Sequence, residues 1–438
     1  MPRVGRSGMP GFILVWLGQV VSLLGSGMTQ FALTIWAWQI TGEATALAMV
    51  AFFGFFPRIL LTPLAGALID RWNRKLVMIL SDLAAGIGTI VVLLLLRLEL
   101  LQIWHLYAVA AFSGAFGSFQ APAFTASISL MLPKKHFTRA NTMLGLGHSI
   151  STVFAPMAAG ALLAFIGIHN ILLIDIATFT FAVLVLLVVP IPQPDPSAED
   201  RGRSLLSDCL FGFKYIFANR SLLGLVGYTF VVLFLLRACI GVVSPMILAR
   251  TGGNELALGT VLMLFGIGGI VGGSAVSIWG GPKRKVRALF LSFSVSLLLG
   301  KVVLGIGQGL VIWGIGAFLS TVLLPLSNGA RHAIWQAKVA PRVQGRVFSA
   351  RILIGQLGGA LALPVAGLLA DRVFEPLMSG SSRLAQALSH IVGSGPGAGM
   401  GLMYVLFGSL GVVATVLAFS YRPVRDIEQL LPDHDTET

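Results

Sequence analysis

Charge is scarce in this sequence. Only 11% of its 438 residues are Asp, Glu, Lys or Arg, and 56% are apolar; an average soluble chain has about 25% and about 45–50%. That balance excludes an ordinary soluble enzyme. Cysteine is scarcer still, with Cys209 and Cys239 as the two copies. They stand far apart, with no CxxC and no Cys/His grouping beside either, which excludes a disulfide framework and a zinc site and leaves both as apolar fillers. The N-terminal apolar stretch, from Phe12 to about Trp38, follows Arg3 and Arg6 but lacks an A-x-A cleavage site. It therefore reads as a retained span and not as a signal peptide. Acids are few, 17 against 30 Lys and Arg, for a net charge of +13. On a soluble chain that excess would suggest nucleic acid, so the location of the basic residues decides.

Apolar runs of about 20 residues, the length that crosses a bilayer, recur along the whole chain. They centre near Leu24, Pro57, Ile87, Gly114, Val153, Ala182, Phe234, Gly268, Ser296, Leu319, Ala360 and Leu410. If the first residues are cytoplasmic, 23 of the 30 basic residues fall on the inner side of this pattern and only Arg97, Arg250, Arg372 and Arg383 on the outer side. The positive-inside rule then places both termini in the cytoplasm, and the charge speaks of membrane topology and not of nucleic acid. The expected fold is all-α and integral to the inner (plasma) membrane, with twelve transmembrane helices.

Domain boundaries follow from composition. Residues 1–189 form an N-terminal six-helix bundle, 190–221 a cytoplasmic linker, 222–421 a C-terminal six-helix bundle and 422–438 a short acidic tail. The linker opens on Pro190, Pro192, Pro194 and Pro196 and turns charged. Within it Leu205, Leu206, Cys209, Leu210, Phe213, Ile216 and Phe217 keep helical spacing, which predicts an amphipathic helix lying on the inner membrane surface. The halves repeat weakly. Arg74-Lys75 matches Arg284-Lys285, Leu132-Pro133 matches Ala340-Pro341, Gln120 falls on Asn328, and Pro156 falls on Pro364, all at offsets near 208–210.

Polar residues cluster on particular spans. Gln19, Ser22, Ser26, Thr29 and Gln30 share a sector of roughly 100° on span 1. Ser113, Gly117 and Gln120 do so on span 4, and Ser320, Ser327, Asn328 and Arg331 on span 10, while span 7 offers Thr229, Arg237 and Ser244. Spans 1, 4, 7 and 10 thus read as lining a polar cavity; the alternative is that Ser and Thr bond within their own helix or to a neighbour.

Several segments resemble the major facilitator superfamily over essentially the whole chain. Gly66-Ala67-Leu68-Ile69-Asp70-Arg71-Trp72-Asn73-Arg74-Lys75 is similar to its loop 2–3 signature, with Asn73 where Gly is usual. Ser151, Ala155, Pro156, Ala159 and Gly160 resemble its antiporter motif, with small residues at three Gly positions. Trp279-Gly280-Gly281-Pro282-Lys283-Arg284, Gln344-Gly345-Arg346-Val347-Phe348 and Gly367-Leu368-Leu369-Ala370-Asp371-Arg372 resemble the branch of macrolide-efflux proteins and siderophore exporters. The resemblance implies alternating access around a central cavity and export powered by proton entry. Gating residues would be Gly66, Asp70, Arg71, Arg74, Pro156, Gly160, Pro364 and Gly367, with Asp82 as a partner for the basic residues of loop 2–3.

An ionisable group near the bilayer centre costs at least about 2.5–3.5 kcal/mol on insertion scales, so each is a functional candidate. Arg58 and Arg237 fall mid-membrane and are expected either to contact substrate, which would favour anionic or carbonyl-rich compounds, or to brace helices through backbone carbonyls. Lys301 is close enough to the outer end of span 9 to snorkel. Asp175 and His148 are the candidates for proton coupling; Asp175 could instead brace its helix. Candidate substrate contacts are Gln19, Ser26, Gln30, Arg58, Gln120, Arg237 and Asn328. With no metal-ligand cluster, and no nucleophile with a base in the spans, neither cofactor nor enzymatic reaction is expected. The expected partners are a small amphipathic substrate, protons and the lipid bilayer, with no nucleic acid and a monomeric chain. The rival readings are a lipid or lysophospholipid flippase and, in another class, a membrane-embedded enzyme or scaffold.

Overall fold

A computed structural model describes residues 8–69, 72–192, 205–282, 284–340, 343–380 and 382–433. Among these the chain is helical without strands, the arrangement hydrocarbon demands of a chain whose backbone groups must find partners within their own segment. The first helices are α1 (Gly8–Thr41), α2 (Ala44–Ile69), α3 (Arg74–Arg97), α4 (Ile103–Met131) and α5 (Phe137–Val188). After α6 (Leu205–Ala218) come α7 (Arg220–Thr251), α8 (Glu255–Trp279), α9 (Lys285–Val295), α10 (Val303–Ile306), α11 (Leu310–Val322) and α12 (Leu324–Lys338). The chain continues through α13 (Gln344–Leu369), α14 (Glu375–Ser379), α15 (Arg383–Val392), α16 (Ala398–Ser420) and two short turns. Two π-helical stretches interrupt the series, Ser296–Val302 between α9 and α10 and Ala370–Phe374 between α13 and α14.

Among the described residues, ten helical stretches are long and apolar enough to cross a membrane. One of them, α5, breaks at Gly167, whose φ of 71° and ψ of 168° only glycine adopts freely. Each arm is of crossing length, and so is α4 with its 29 residues, so geometry offers two further segments beyond the ten. Pro122, Pro156, Pro245 and Pro364 lie inside helices, as membrane helices tolerate.

The chain divides into two compact units. The first comprises Met1–Gly42, Met49–Ala198 and Asn254–Met263; the second comprises Glu43–Ala48, Glu199–Gly253 and Leu264–Thr438. The first unit thus holds most of α1 to α5 and the opening turns of α8, while the opening turn of α2 belongs to the second. One core of the first unit gathers Phe12, Val15, Ile69, Met78, Phe124, Met131, Leu132 and Leu186. One core of the second gathers Leu225, Tyr228, Val232, Phe290, Phe293, Trp335, Val347 and Ile427.

The linker helix departs from expectation. In α6, Ile216 is buried in the core of the second unit and Phe213 packs against it, while a Cβ on Gly212 would meet the Arg346 carbonyl oxygen of α13. Phe217 remains exposed. The apolar stripe therefore serves packing against α13 as well as the outer surface. The side chains of Leu205, Leu206, Cys209 and Leu210 lie outside the described residues.

Candidate functional site

Asp82 sits eight residues into α3, about 12 Å from its first turn. It is buried, 8% exposed, and its partners are two neutral amides. Gln19 of α1 donates Nε2–H to Oδ2 at 2.8 Å, and Gln120 of α4 donates Nε2–H to Oδ1 at 2.8 Å. The same Gln120 nitrogen reaches Gln19 Oε1 at 2.6 Å, closing a triangle across α1, α3 and α4. Gln120 Oε1 is buried and has no hydrogen-bond partner. Asp82 was expected to pair with the basic residues of loop 2–3; among the described residues its side-chain partners are the two amides, and Arg74 and Lys75 reach main-chain carbonyls. Arg74 donates Nη1–H to Ala126 O of α4 at 2.6 Å, and Lys75 Nζ reaches Leu187 O and Val189 O at the end of α5, at 2.9 and 3.1 Å.

Asp175, in the second arm of α5 and 2% exposed, is a second buried carboxylate held by neutral groups. Ser26 of α1 donates to Oδ1 at 3.0 Å and Thr89 of α3 to Oδ2 at 2.8 Å. Gln19 and Ser26 are seven residues apart, two turns along one face of α1, with buried Ser22 between them. A single helix face thus touches both carboxylates. An ionised carboxylate is an acceptor only, and a protonated one also donates, so each cluster can hold or release a proton without losing a counter-ion.

The loop 2–3 segment is only partly in view. Asp70 and Arg71 lie outside the described residues, and Gly66 lies in α2. The substitution of Gly by Asn73 has a local role, because its side chain accepts the Leu76 N–H at 3.0 Å and caps α3. Pro156 and Gly160 lie where α5 meets the opening of α8. A Cβ on Gly160 would stand 2.9 Å from Glu255 O, and one on Gly259 would stand 2.7 Å from Pro156 O. Pro364 and Gly367 lie in α13, where a Cβ on Gly367 would come within 2.7 Å of Thr45 Cα.

Other expected residues are scattered. Gln30, Arg58, His148 and Asn328 have exposed side chains, and among the described residues none of them joins the two carboxylate clusters. Arg237 of α7 lies half-buried along Gly359 of α13, with Cγ 3.1 Å from where a Cβ would stand. Lys301 corrects an expectation: it does not snorkel but is 3% exposed. It sits in the first π stretch, with its ammonium 4.9 Å from the Phe265 ring centre and 6.0 Å from that of Tyr404. The π-turn re-aims the side chain into the bundle, which spacing on a regular helix cannot foresee.

Two groups outside the expected site residues emerge near the opposite helix ends. Asp371, in the second π stretch, accepts the N–H groups of Ala44 and Thr45 at 3.0 and 2.7 Å, closing the first turn of α2. Arg250 donates to Gly397 O, Gly307 O and Val392 O at 3.2, 2.7 and 2.8 Å. No sequence motif signals the Arg250 clamp, since carbonyl acceptors carry no residue identity.

Buried carboxylates on apolar, membrane-length helices, in a chain matched by the Major Facilitator Superfamily over residues 15–363, decide the family. The chain belongs to the major facilitator superfamily. It is a transport protein of that family and not an enzyme. Among its relatives, macrolide efflux protein A of Streptococcus pyogenes is 25% identical over 83% of this chain and 90% of its own length. The multidrug efflux pump Tap of Mycolicibacterium fortuitum is 23% identical over 82% and 89%. The enterobactin exporter EntS of Shigella flexneri is 26% identical over 52% and 54%. In fold, the chain is similar to the nucleoside transporter NupG, with a TM-score of 0.69 at 13% identity over 94% of this chain and 99% of that one. A bacterial homologue of the lysosomal transporter Spinster gives 0.66 at 15% identity over 94% and 97%.

Proposed function

We propose that this superfamily member is a monomeric exporter of small amphipathic compounds, such as drugs, siderophores or secondary metabolites, driven by proton entry through alternating access. The relatives named for macrolide, multidrug and enterobactin efflux support the direction and the substrate class. The basic residues support an inner-membrane topology with both termini cytoplasmic. The two six-helix bundles proposed from composition would then be the moving parts, with Arg74, Pro156, Gly160, Pro364 and Gly367 as gating residues.

The observation that carries proton coupling is the triangle of Asp82, Gln19 and Gln120. With Asp82 ionised, both amide N–H groups have an acceptor. A proton arriving on Oδ1 displaces the Gln120 N–H and needs an acceptor of its own, and the unpartnered Gln120 Oε1 is the atom at hand. A small rotation of that amide exchanges one hydrogen bond for another and changes how α3 is tied to α4. Asp175 is the second carrier, sharing α1 with the first. His148, whose side chain is exposed and joins neither cluster among the described residues, is a weaker candidate.

The test is uptake into inverted vesicles under an imposed pH gradient, screening macrolides, catecholate and carboxylate siderophores, and lysolipids. Accumulation that collapses when the pH gradient is dissipated supports the reading. Flux indifferent to both the pH gradient and the membrane potential overturns it, and flux of lysolipids alone would make the chain a lipid flippase.

A further inference from the structure

The second unit holds a group of cations with no acid paired to them among the described residues. Arg331 of α12 donates Nη2–H to Asn328 Oδ1 at 2.9 Å, and its Nε is buried with no partner. Arg351 of α13 is 8% exposed; its Nη2 faces His332 Nδ1 at 3.1 Å, and its Nη1 is buried with no partner. Its guanidinium lies 5.2 Å from the Trp335 ring centre and 5.1 Å from that of Phe348. Because Arg is always a donor, His332 Nδ1 must accept, so the imidazole facing it is neutral. Arg351 thus reaches the residue that follows Arg331 in α12, and neither arginine forms a salt bridge among the described residues.

A buried donor left unpaired loses its hydration with nothing in exchange, and a second cation in the same locality adds to that cost. Ring faces offset only part of such a cost. A bound oxyanion would remove both penalties, and a guanidinium fork matches carboxylate, phosphate and sulfonate oxygens two at a time. The arginines sit at similar depth, each seven residues from a helix end, Lys338 for α12 and Gln344 for α13, or about 10 Å along the axis. Arg351 is buried there, Arg331 half-buried, and Asn328 and His332 exposed, so the group opens on one side.

We propose that Arg331 and Arg351 form a receptor for an oxyanion, which extends the export reading, and rests on it, by making anionic amphiphiles a favoured class of cargo. The rings of Trp335 and Phe348 lie beside the Arg351 guanidinium, and Asn328 accepts from Arg331. The same chemistry could come from an anionic lipid headgroup, and the experiment separates the two sources.

The full chain is placed in phosphatidylcholine nanodiscs and titrated with 8-anilinonaphthalene-1-sulfonate and, in parallel, with the uncharged N-phenyl-1-naphthylamine. Wild-type protein should bind the sulfonate about tenfold or more tightly than R331Q or R351Q, the size of a lost charge-assisted bond. R351K should recover part of the loss. The neutral dye should bind all four proteins alike, which also reports that the variants are folded. Equal sulfonate binding by wild type and both glutamine variants overturns the proposal. In nanodiscs holding about 30% phosphatidylglycerol, competition in wild type but not in R351Q makes the headgroup the occupant; no competition leaves the cargo's own anion. Arginine-dependent binding together with an absence of proton-driven export would retain the receptor and sink only the export reading.

Discussion

Asp371 accepts the backbone N–H of Thr45 at 2.7 Å, and through its other oxygen the N–H of Ala44 at 3.0 Å. A carboxylate at the first turn of a helix satisfies donors that have no intrahelical partner and complements the helix dipole. Replacing Asp371 with Ala should free both amides. Hydrogen exchange of a peptide covering residues 43–50 should then speed up by about tenfold or more, and unchanged protection would refute the contact.

Asp82→Asn keeps the shape of the triangle but removes the site for a proton. Proton-driven uptake should fall by about tenfold or more, while exchange of substrate across vesicles without a gradient continues. Surviving acidification-dependent uptake in the variant would move the coupling role to Asp175.

Gly25 of α1 has room for no side chain. A Cβ there would meet Thr178 Oγ1 and stand 3.1 Å from Asp175 Cα and Oδ1. Gly25→Ala should destabilise the protein by about 1–3 kcal/mol through overpacking. Gly117→Ala, with nothing within 4 Å of the new atom, should be neutral or stabilising by up to about 1 kcal/mol. Thermal unfolding followed by tryptophan fluorescence separates the two.

Lys301 is buried, with ring faces near its ammonium and no salt bridge among the described residues. Lys301→Met should leave thermal stability unchanged or raise it, since an apolar side chain of similar length replaces a desolvated charge. A clear fall in the melting temperature would mean that the cation does more than fill space.

Much of the fold was legible because hydrocarbon leaves few options. Long apolar stretches such as those in α3 and α7 can only be helices there, and their basic flanks mark the loops. Side-chain identity carried part of the signal: Gln19, Ser26 and Gln120 were picked out as substrate contacts by sharing a face with other polar residues, whereas in the structure they bond Asp82 and Asp175, and Asp175 was picked out as an acid away from the loops. The partner of Asp82 was missed because attraction to nearby arginines looked obvious, whereas Arg74 is taken up by the Ala126 carbonyl and Lys75 by the end of α5. Arg351 was read as a topology signal, since depth along a helix cannot be judged when the helix boundary is unknown. Lys301 and the Asp371 contact were hidden by backbone geometry, which side-chain spacing does not record.

Both of those hidden residues stand in the π-helical stretches, Ser296–Val302 and Ala370–Phe374. A π-turn carries one residue more than the regular turn it interrupts, so everything beyond it is rotated by about 100° relative to a straight helix. If each stretch arose by insertion of one residue, a relative without it should show a one-residue gap at that position. Such a relative would turn Lys301 or Asp371 onto a different face and lose the buried ammonium or the cap on α2. Two gaps of one residue in an alignment would therefore sort homologues by whether they share these features.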